Sequence, residues 1–210
     1  MEPRFHQLLL EWKKTYLRDQ DLMPIFQGQD ARRYDGVKYA IKKGFLISIR
    51  RGLYLVGPPY RKENWDPFEI AQVIYGPSCI SFESALSYHG WIPEAVYVTT
   101  SACARRSKDF QTPFGNFRYL HTPFDHFFLN VERITKGEAV FLMAEPWKAI
   151  ADMIYCYKKK WSSIRDLMSD LRIEVETLEQ SNRNSLLHIA STYKSPRVCQ
   201  KLLRFVEEMS

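Results

Sequence analysis

KKGFLISIRRGLYLV, residues 42–56, sets two short apolar runs on either side of Arg50, Arg51 and Gly52. Such runs around a glycine-containing bend predict a β-hairpin, with strands over Phe45–Ile49 and Leu53–Val56. Gly44 and Gly52 suit backbone positions that need positive φ, and Tyr54 can pack the hairpin onto helices. The arginines contribute nothing to a hairpin as such, so their place at its bend calls for another reason.

Toward the N-terminus the pattern changes from strand to helix. Phe5, Leu8, Leu9, Trp12 and Tyr16 recur at helical spacing and predict an amphipathic helix over residues 4–17. Asp19 or Asp21 can cap a second, short helix over Leu22–Gln27, which Gly28 ends. A third helical segment follows in DARRYDGVKYAIKKG, with Tyr34, Val37 and Ile41 on one face. Gly36 costs about 1 kcal/mol relative to alanine, which predicts a start near Asp35, and Gly44 stops the helix. Three helices and then a hairpin is the order of a winged helix-turn-helix.

GPPYRKEN, residues 57–64, interrupts the pattern with two prolines and a charged run, so the expected division is 1–60 and 61–210. Beyond it, Pro67–Tyr75, Ser81–His89 and Pro146–Tyr157 predict helices. Ala95–Thr100, Phe110–Pro113, Asn116–His121 and Phe127–Val131 predict strands, with a turn at Phe114-Gly115. From Trp161 onward the pattern is helical. The fold class expected is therefore α+β: an N-terminal winged helix-turn-helix, then a mixed α+β domain with a helical C-terminal tail. Residues 184–203 faintly echo an ankyrin helix pair, but a single unit cannot build a solenoid and predicts only a packed helix pair.

A chain of 210 residues can bury roughly 70% of its unfolded surface, so no metal or disulfide is needed to hold it. Its 45% hydrophobic and 14% aromatic content exclude a disordered polymer. Cys79, Cys103, Cys156 and Cys199 are isolated from one another, as in a reduced intracellular protein. MEPRFHQLLLEWKK does not read as a signal peptide, and no apolar run approaches the roughly 18 residues of a membrane span. The expectation is a cytoplasmic protein with no membrane contact.

The net charge of +6 is unevenly placed. Residues 1–62 hold 13 Lys/Arg and 6 Asp/Glu, a balance of +7, and the remaining 148 hold 17 and 18, a balance of −1. All the excess positive charge lies in the first third, as expected of a segment that meets a polyanion. If Tyr34, Val37 and Ile41 face the core, the helical wheel turns Arg32, Asp35, Tyr39, Lys42 and Lys43 outward. Such a helix can enter a major groove, where arginine bonds guanine edges and lysine bonds phosphates. The expected DNA-contact set is Arg32, Arg33, Lys38, Tyr39, Lys42 and Lys43, with Arg50 and Arg51 at the wing.

Other chemistry finds little support. His121 and His126 flank Pro123 far from any cysteine, without zinc spacing, so no metal or other cofactor is expected. G-x-S-x-G, Walker and G-x-G-x-x-G motifs are missing, and no compact acid–lysine run marks a nuclease. No catalytic residue is assigned, and a non-enzyme is expected. Two alternatives stay open. One is a metal-dependent nuclease-like second domain using acids such as Glu83 or Asp109. The other is an interaction module presenting Tyr88, Trp91, Tyr97, Phe124, Phe127 and Phe128.

Taken in order, these stretches resemble the AbiEi-type antitoxins, transcriptional regulators of type IV toxin–antitoxin systems. The resemblance runs through Lys42, Lys43, Gly44, Arg50, Arg51, Gly52 and Tyr54. It continues through Ser81, Ser84, Ala85, Leu86, His89, Gly90, Ile92 and Pro93, then Phe114, Gly115, Phe117 and Tyr119. It ends with Ala144-Glu145-Pro146-Trp147-Lys148-Ala149 and Asp152, so that it spans residues 20–155. Trp147 stands where that family usually has glutamate. The resemblance implies a winged helix that binds double-stranded DNA at an inverted-repeat operator in its own promoter, two copies on the DNA, as a repressor. It also implies a cognate nucleotidyltransferase-like toxin, opposed without any requirement for direct contact.

Overall fold

The computed structural model describes residues 3–61, 64–123, 125 and 127–209, and it divides the chain into two compact units, Met1–Asp66 and Pro67–Ser210. The protein is a mixed α+β structure with two separate sheets.

In the first unit the order is α1 (Pro3–Glu11), β1 (Tyr16–Arg18), α2 (Asp19–Phe26), α3 (Asp30–Lys42), β2 (Leu46–Arg50) and β3 (Leu53–Val56). The three strands form an antiparallel sheet in the order β1-β3-β2. The helix expected over residues 4–17 ends at Glu11, because Tyr16–Arg18 pair with Leu53–Leu55 as a third strand. The Trp12 indole donates to the Tyr16 carbonyl at 2.8 Å and closes the intervening turn. Sheet pairing has overridden a helical periodicity that could not anticipate a partner forty residues away.

α2 starts at Asp19, where the Asp21 carboxylate accepts from the Arg18 N–H at 2.8 Å. Gln27 and Gly28, both at positive φ, end it. α3 begins at Asp30 rather than near Asp35 and runs straight through Gly36. The reason is packing: a Cβ on Gly36 would stand 2.9 Å from Cζ of Phe26. Phe26 in turn meets Phe5 edge-on at 5.7 Å inside a core that also holds Leu9, Leu17, Leu22, Val37, Ala40, Leu46 and Tyr54. Each large apolar side chain buried there stabilises the unit by about 1.5–3 kcal/mol. Gly36→Ala should thus lose about 1 kcal/mol net, since overpacking of about 1–3 kcal/mol exceeds the propensity gain of about 1 kcal/mol. Denaturant unfolding measures this, and a stabilised variant would mean that the Phe26 ring yields.

The core facing of α3 also differs from expectation. Val37 and Ala40 are buried, whereas Tyr34 is 70% and Ile41 39% exposed. The helix is rotated so that its small residues meet the core and its larger ones do not. Gly44 and Gly52 do adopt positive φ, at 72° and 75°.

The second unit is built on a six-stranded sheet in the order β6-β7-β5-β4-β9-β8. Its strands are β4 (Ser78–Ile80), β5 (Val98–Cys103), β6 (Lys108–Thr112), β7 (Gly115–His121), β8 (Val131–Lys136) and β9 (Ala139–Ala144). β5 and β7 run parallel, as do β4 and β9, and the other neighbours are antiparallel. α4 (Pro67–Ile74) packs on β4, β5 and β9, and α5 (Phe82–Tyr88) on β5 and α6 (Pro146–Cys156). The helical tail comprises α7 (Ile164–Leu171), α8 (Val175–Glu179), α9 (Arg183–Thr192) and α10 (Pro196–Glu208), and α9 and α10 close on α6. The strand expected over Phe127–Val131 is a turn, and β8 begins only at Val131. Among the described residues no helix is long and apolar enough to cross a membrane. All four cysteines are free thiols, and burial pushes Cys79 and Cys156 up to about 12.

Candidate nucleic-acid interface

The hairpin expected from residues 42–56 forms, with one refinement. Arg50 belongs to β2 and opposes Leu53, so the turn itself is Arg51-Gly52. The ladder shifts register between Ser48 and Arg50, a bulge that turns the end of β2. The Gly52 carbonyl accepts from the Asp19 N–H at 3.0 Å, which ties the bend to the start of α2.

That pairing separates the two arginines. Directly opposed residues share a face of a sheet. Arg18 and Arg50 both oppose Leu53 and share its face, while Leu17 and Ser48 oppose Tyr54 on the core-facing side. Arg51 lies instead in a groove of about 600 Å³ between α3 and the hairpin. Arg33, Tyr34, Lys38 and Ile41 line its helix side, Ser48, Arg51 and Gly52 its hairpin side, Val37 and Tyr54 its floor, and Asp19 of α2 lines it as well. Burial first, and then the Asp19 carboxylate, pushes the Tyr54 phenol above its ordinary value, so it stays neutral and able to donate.

The expected contact residues fall into three groups. Arg32, Tyr39, Lys42 and Lys43 share the outer stripe of α3 with Asp35, all exposed. Tyr39 meets Phe45 edge-on at 6.4 Å, with the Lys43 ammonium 5.9 Å from its centroid. Lys38 and Arg51 face each other across the groove. Arg33 stands apart. Its guanidinium bridges Asp30 at 2.8 Å and Asp19 at 3.3 Å and is only 15% exposed, so it joins α2 to α3. In that place it neutralises two carboxylates beside the groove rather than presenting a free charge. Among the described residues no ion pair engages Arg32, Lys38, Lys42, Lys43, Arg50 or Arg51. The sequence reading missed Arg18, exposed beside Arg50 across the sheet, because its strand was read as the end of a helix.

In the second unit, residues that carried the resemblance meet in the interior. Ser81, at the N-cap of α5, donates to Asp152 of α6 at 2.7 Å. Lys148, one turn before Asp152, donates to the same carboxylate at 2.5 Å, and both side chains are fully buried. The Tyr193 hydroxyl donates to it at 3.4 Å from the end of α9. Burial and the Asp152 charge push that phenol well above its usual range. Ser84 and Thr100 exchange bonds at 2.8 and 3.2 Å, joining α5 to β5. Trp147 is buried edge-on against Trp91 at 5.1 Å.

Arg118, which pairs with Asp109, lines one pocket with Glu83. Glu83 accepts from Tyr157 at 3.1 Å, whereas Asp109 pairs with Arg118 at 3.3 Å on the surface. Among the described residues no three His, Cys, Asp or Glu side chains are grouped to hold a metal ion. His121 is exposed, and His126 and Phe124 lie outside the described residues. Of the aromatics, Trp91 and Phe127 are buried, and Tyr88, Tyr97 and Phe128 are exposed. No protein-family model matches the chain, and no curated protein matches it.

Proposed function

We propose that the first unit is a winged helix-turn-helix that binds double-stranded DNA, with α3 in the major groove and the β2–β3 hairpin as the wing. The observation that carries this reading is the groove between α3 and the hairpin. Lys38 and Arg51 face across it, and Arg32, Lys42 and Lys43 extend the positive field along the helix. A field of that sign over an exposed helix attracts phosphate, and arginine and lysine side chains can then reach base edges. The element order and the sheet order β1-β3-β2 support the same reading.

On this basis the protein acts as a transcriptional regulator of the antitoxin type. It represses its own promoter from an inverted-repeat operator and opposes a nucleotidyltransferase-like toxin without requiring direct contact. The resemblance described above supports this further step. The Ser81–Lys148–Asp152–Tyr193 cluster acts structurally, with the second unit working as a non-enzymatic body.

The split of the arginines makes the interface testable. Arg51→Ala should weaken duplex binding several-fold, because Arg51 lines the groove with Lys38. Arg50→Ala should cost less, since the side chain shares the far face of the sheet with Arg18. Fluorescence anisotropy with a labelled duplex, titrated with full-length protein, reads both. Equal losses would place the DNA astride the hairpin edge rather than along α3.

A further inference from the structure

Tyr34 and Ile41 are the residues of α3 that the fold leaves unexplained. Both are large, both are exposed, and neither joins the core of the first unit. With Lys38 between them they form one stripe along the groove, Tyr34 and Ile41 at its ends. At 1.5 Å rise per residue they lie about 10 Å apart along the helix axis, the span of about three base steps.

We infer that Tyr34 and Ile41 read sequence by packing on thymine 5-methyl groups in the major groove. The inference rests on the DNA-binding reading above and deepens it. Only thymine presents a methyl group on the major-groove edge, so an exposed apolar side chain on a helix in that groove selects it. The charge around the stripe decides the occupant: Asp19 in the groove is paired with Arg33, so Lys38 and Arg51 leave a positive excess that favours a polyanion over an apolar protein surface. Lys38 holds the phosphates of the strand and Tyr34 and Ile41 test its bases, which divides attraction from selection along one helix.

The test uses full-length protein and duplexes enriched by it from a random-sequence library of synthetic DNA. Each thymine of an enriched duplex is replaced in turn by deoxyuridine, which removes the methyl group and keeps the pairing. One or two replacements, within about four base pairs of each other, should weaken binding roughly three- to five-fold each, the worth of one buried carbon. The variant Tyr34→Ser/Ile41→Ser should bind thymine and deoxyuridine duplexes alike, with the salt dependence of the parent. Tyr34 is 70% and Ile41 39% exposed, so this variant should still unfold cooperatively, with a midpoint only a few degrees below the parent's.

Salt-dependent binding indifferent to every deoxyuridine replacement would overturn the inference and leave the DNA-binding reading standing. So would thymine discrimination that persists undiminished in the double variant. Loss of self-association in that variant would overturn it too, since the stripe would then be a contact between copies. Failure to bind any duplex would overturn both readings together.

Discussion

Replacing Arg32, Lys38, Lys42, Lys43 and Arg51 together with glutamine is expected to lower affinity for duplex DNA about 100- to 1,000-fold at roughly 0.1 M salt. The slope of log affinity against log salt should fall by about four units, since each neutralised phosphate contributes about 0.9. All five side chains are exposed and, among the described residues, none is engaged in an ion pair, so the variant should fold as the parent does. Arg33 is left out deliberately. Its removal would free Asp19 and Asp30 beside the groove, mixing lost structure with lost contact. Anisotropy titrations at several salt concentrations separate the outcomes. An unchanged slope would mean that these residues face water only, and the proposed interface would fail.

Asp152→Ala is expected to destabilise the second unit by about 3–5 kcal/mol. The Lys148 ammonium is fully buried and pairs with Asp152 at 2.5 Å. Without the carboxylate the buried ammonium loses its ionic partner and keeps only the Tyr193 ring, 6.0 Å away, and the Ser81 hydroxyl loses its acceptor as well. At about 2–4 °C for each kcal/mol, thermal unfolding should move down by roughly 10 °C or more. The double change Lys148→Met/Asp152→Leu should cost much less, because it removes both charges and fills the space with apolar atoms. A double variant as unstable as the single one would show that the hydroxyl network, rather than the ion pair, holds the site. DNA affinity should be unchanged in either variant at temperatures where it remains folded, which separates stability in this unit from binding by the other.

The two halves of the proposed interface were not equally legible. The hairpin was readable because its signal is local: two apolar runs on either side of a short bend that contains a glycine. The basic stripe was readable for the same reason, since helical spacing alone sets Arg32, Lys42 and Lys43 on one side. The orientation of α3 was not. Periodicity favours the larger apolar residues as the buried set, and on that basis Tyr34 and Ile41 were expected inside. Phe26 occupies the space beside Gly36, however, and draws the small residues of α3 against the core. β1 was hidden likewise, because three residues that pair with a distant strand carry no periodicity of their own. β9 is a nearly continuous apolar run, which spacing alone does not distinguish from buried helix.

From its sequence alone this protein has an α+β composition of elements, a positively charged first third, and a hairpin with arginines at its bend. Those features follow from residue type and near-neighbour spacing, which act before the chain has folded. Tertiary packing decided the rest. It sent Arg51 to the groove and Arg50 to the opposite face, because a bulge and one ladder pairing determine where each side chain points. It withdrew Arg33 into a bridge with Asp19 and Asp30, which only the approach of α2 to α3 could supply. It also set Ser81 and Tyr193, from segments far apart in the chain, beside Lys148 around the Asp152 carboxylate, since burying that charge requires such partners.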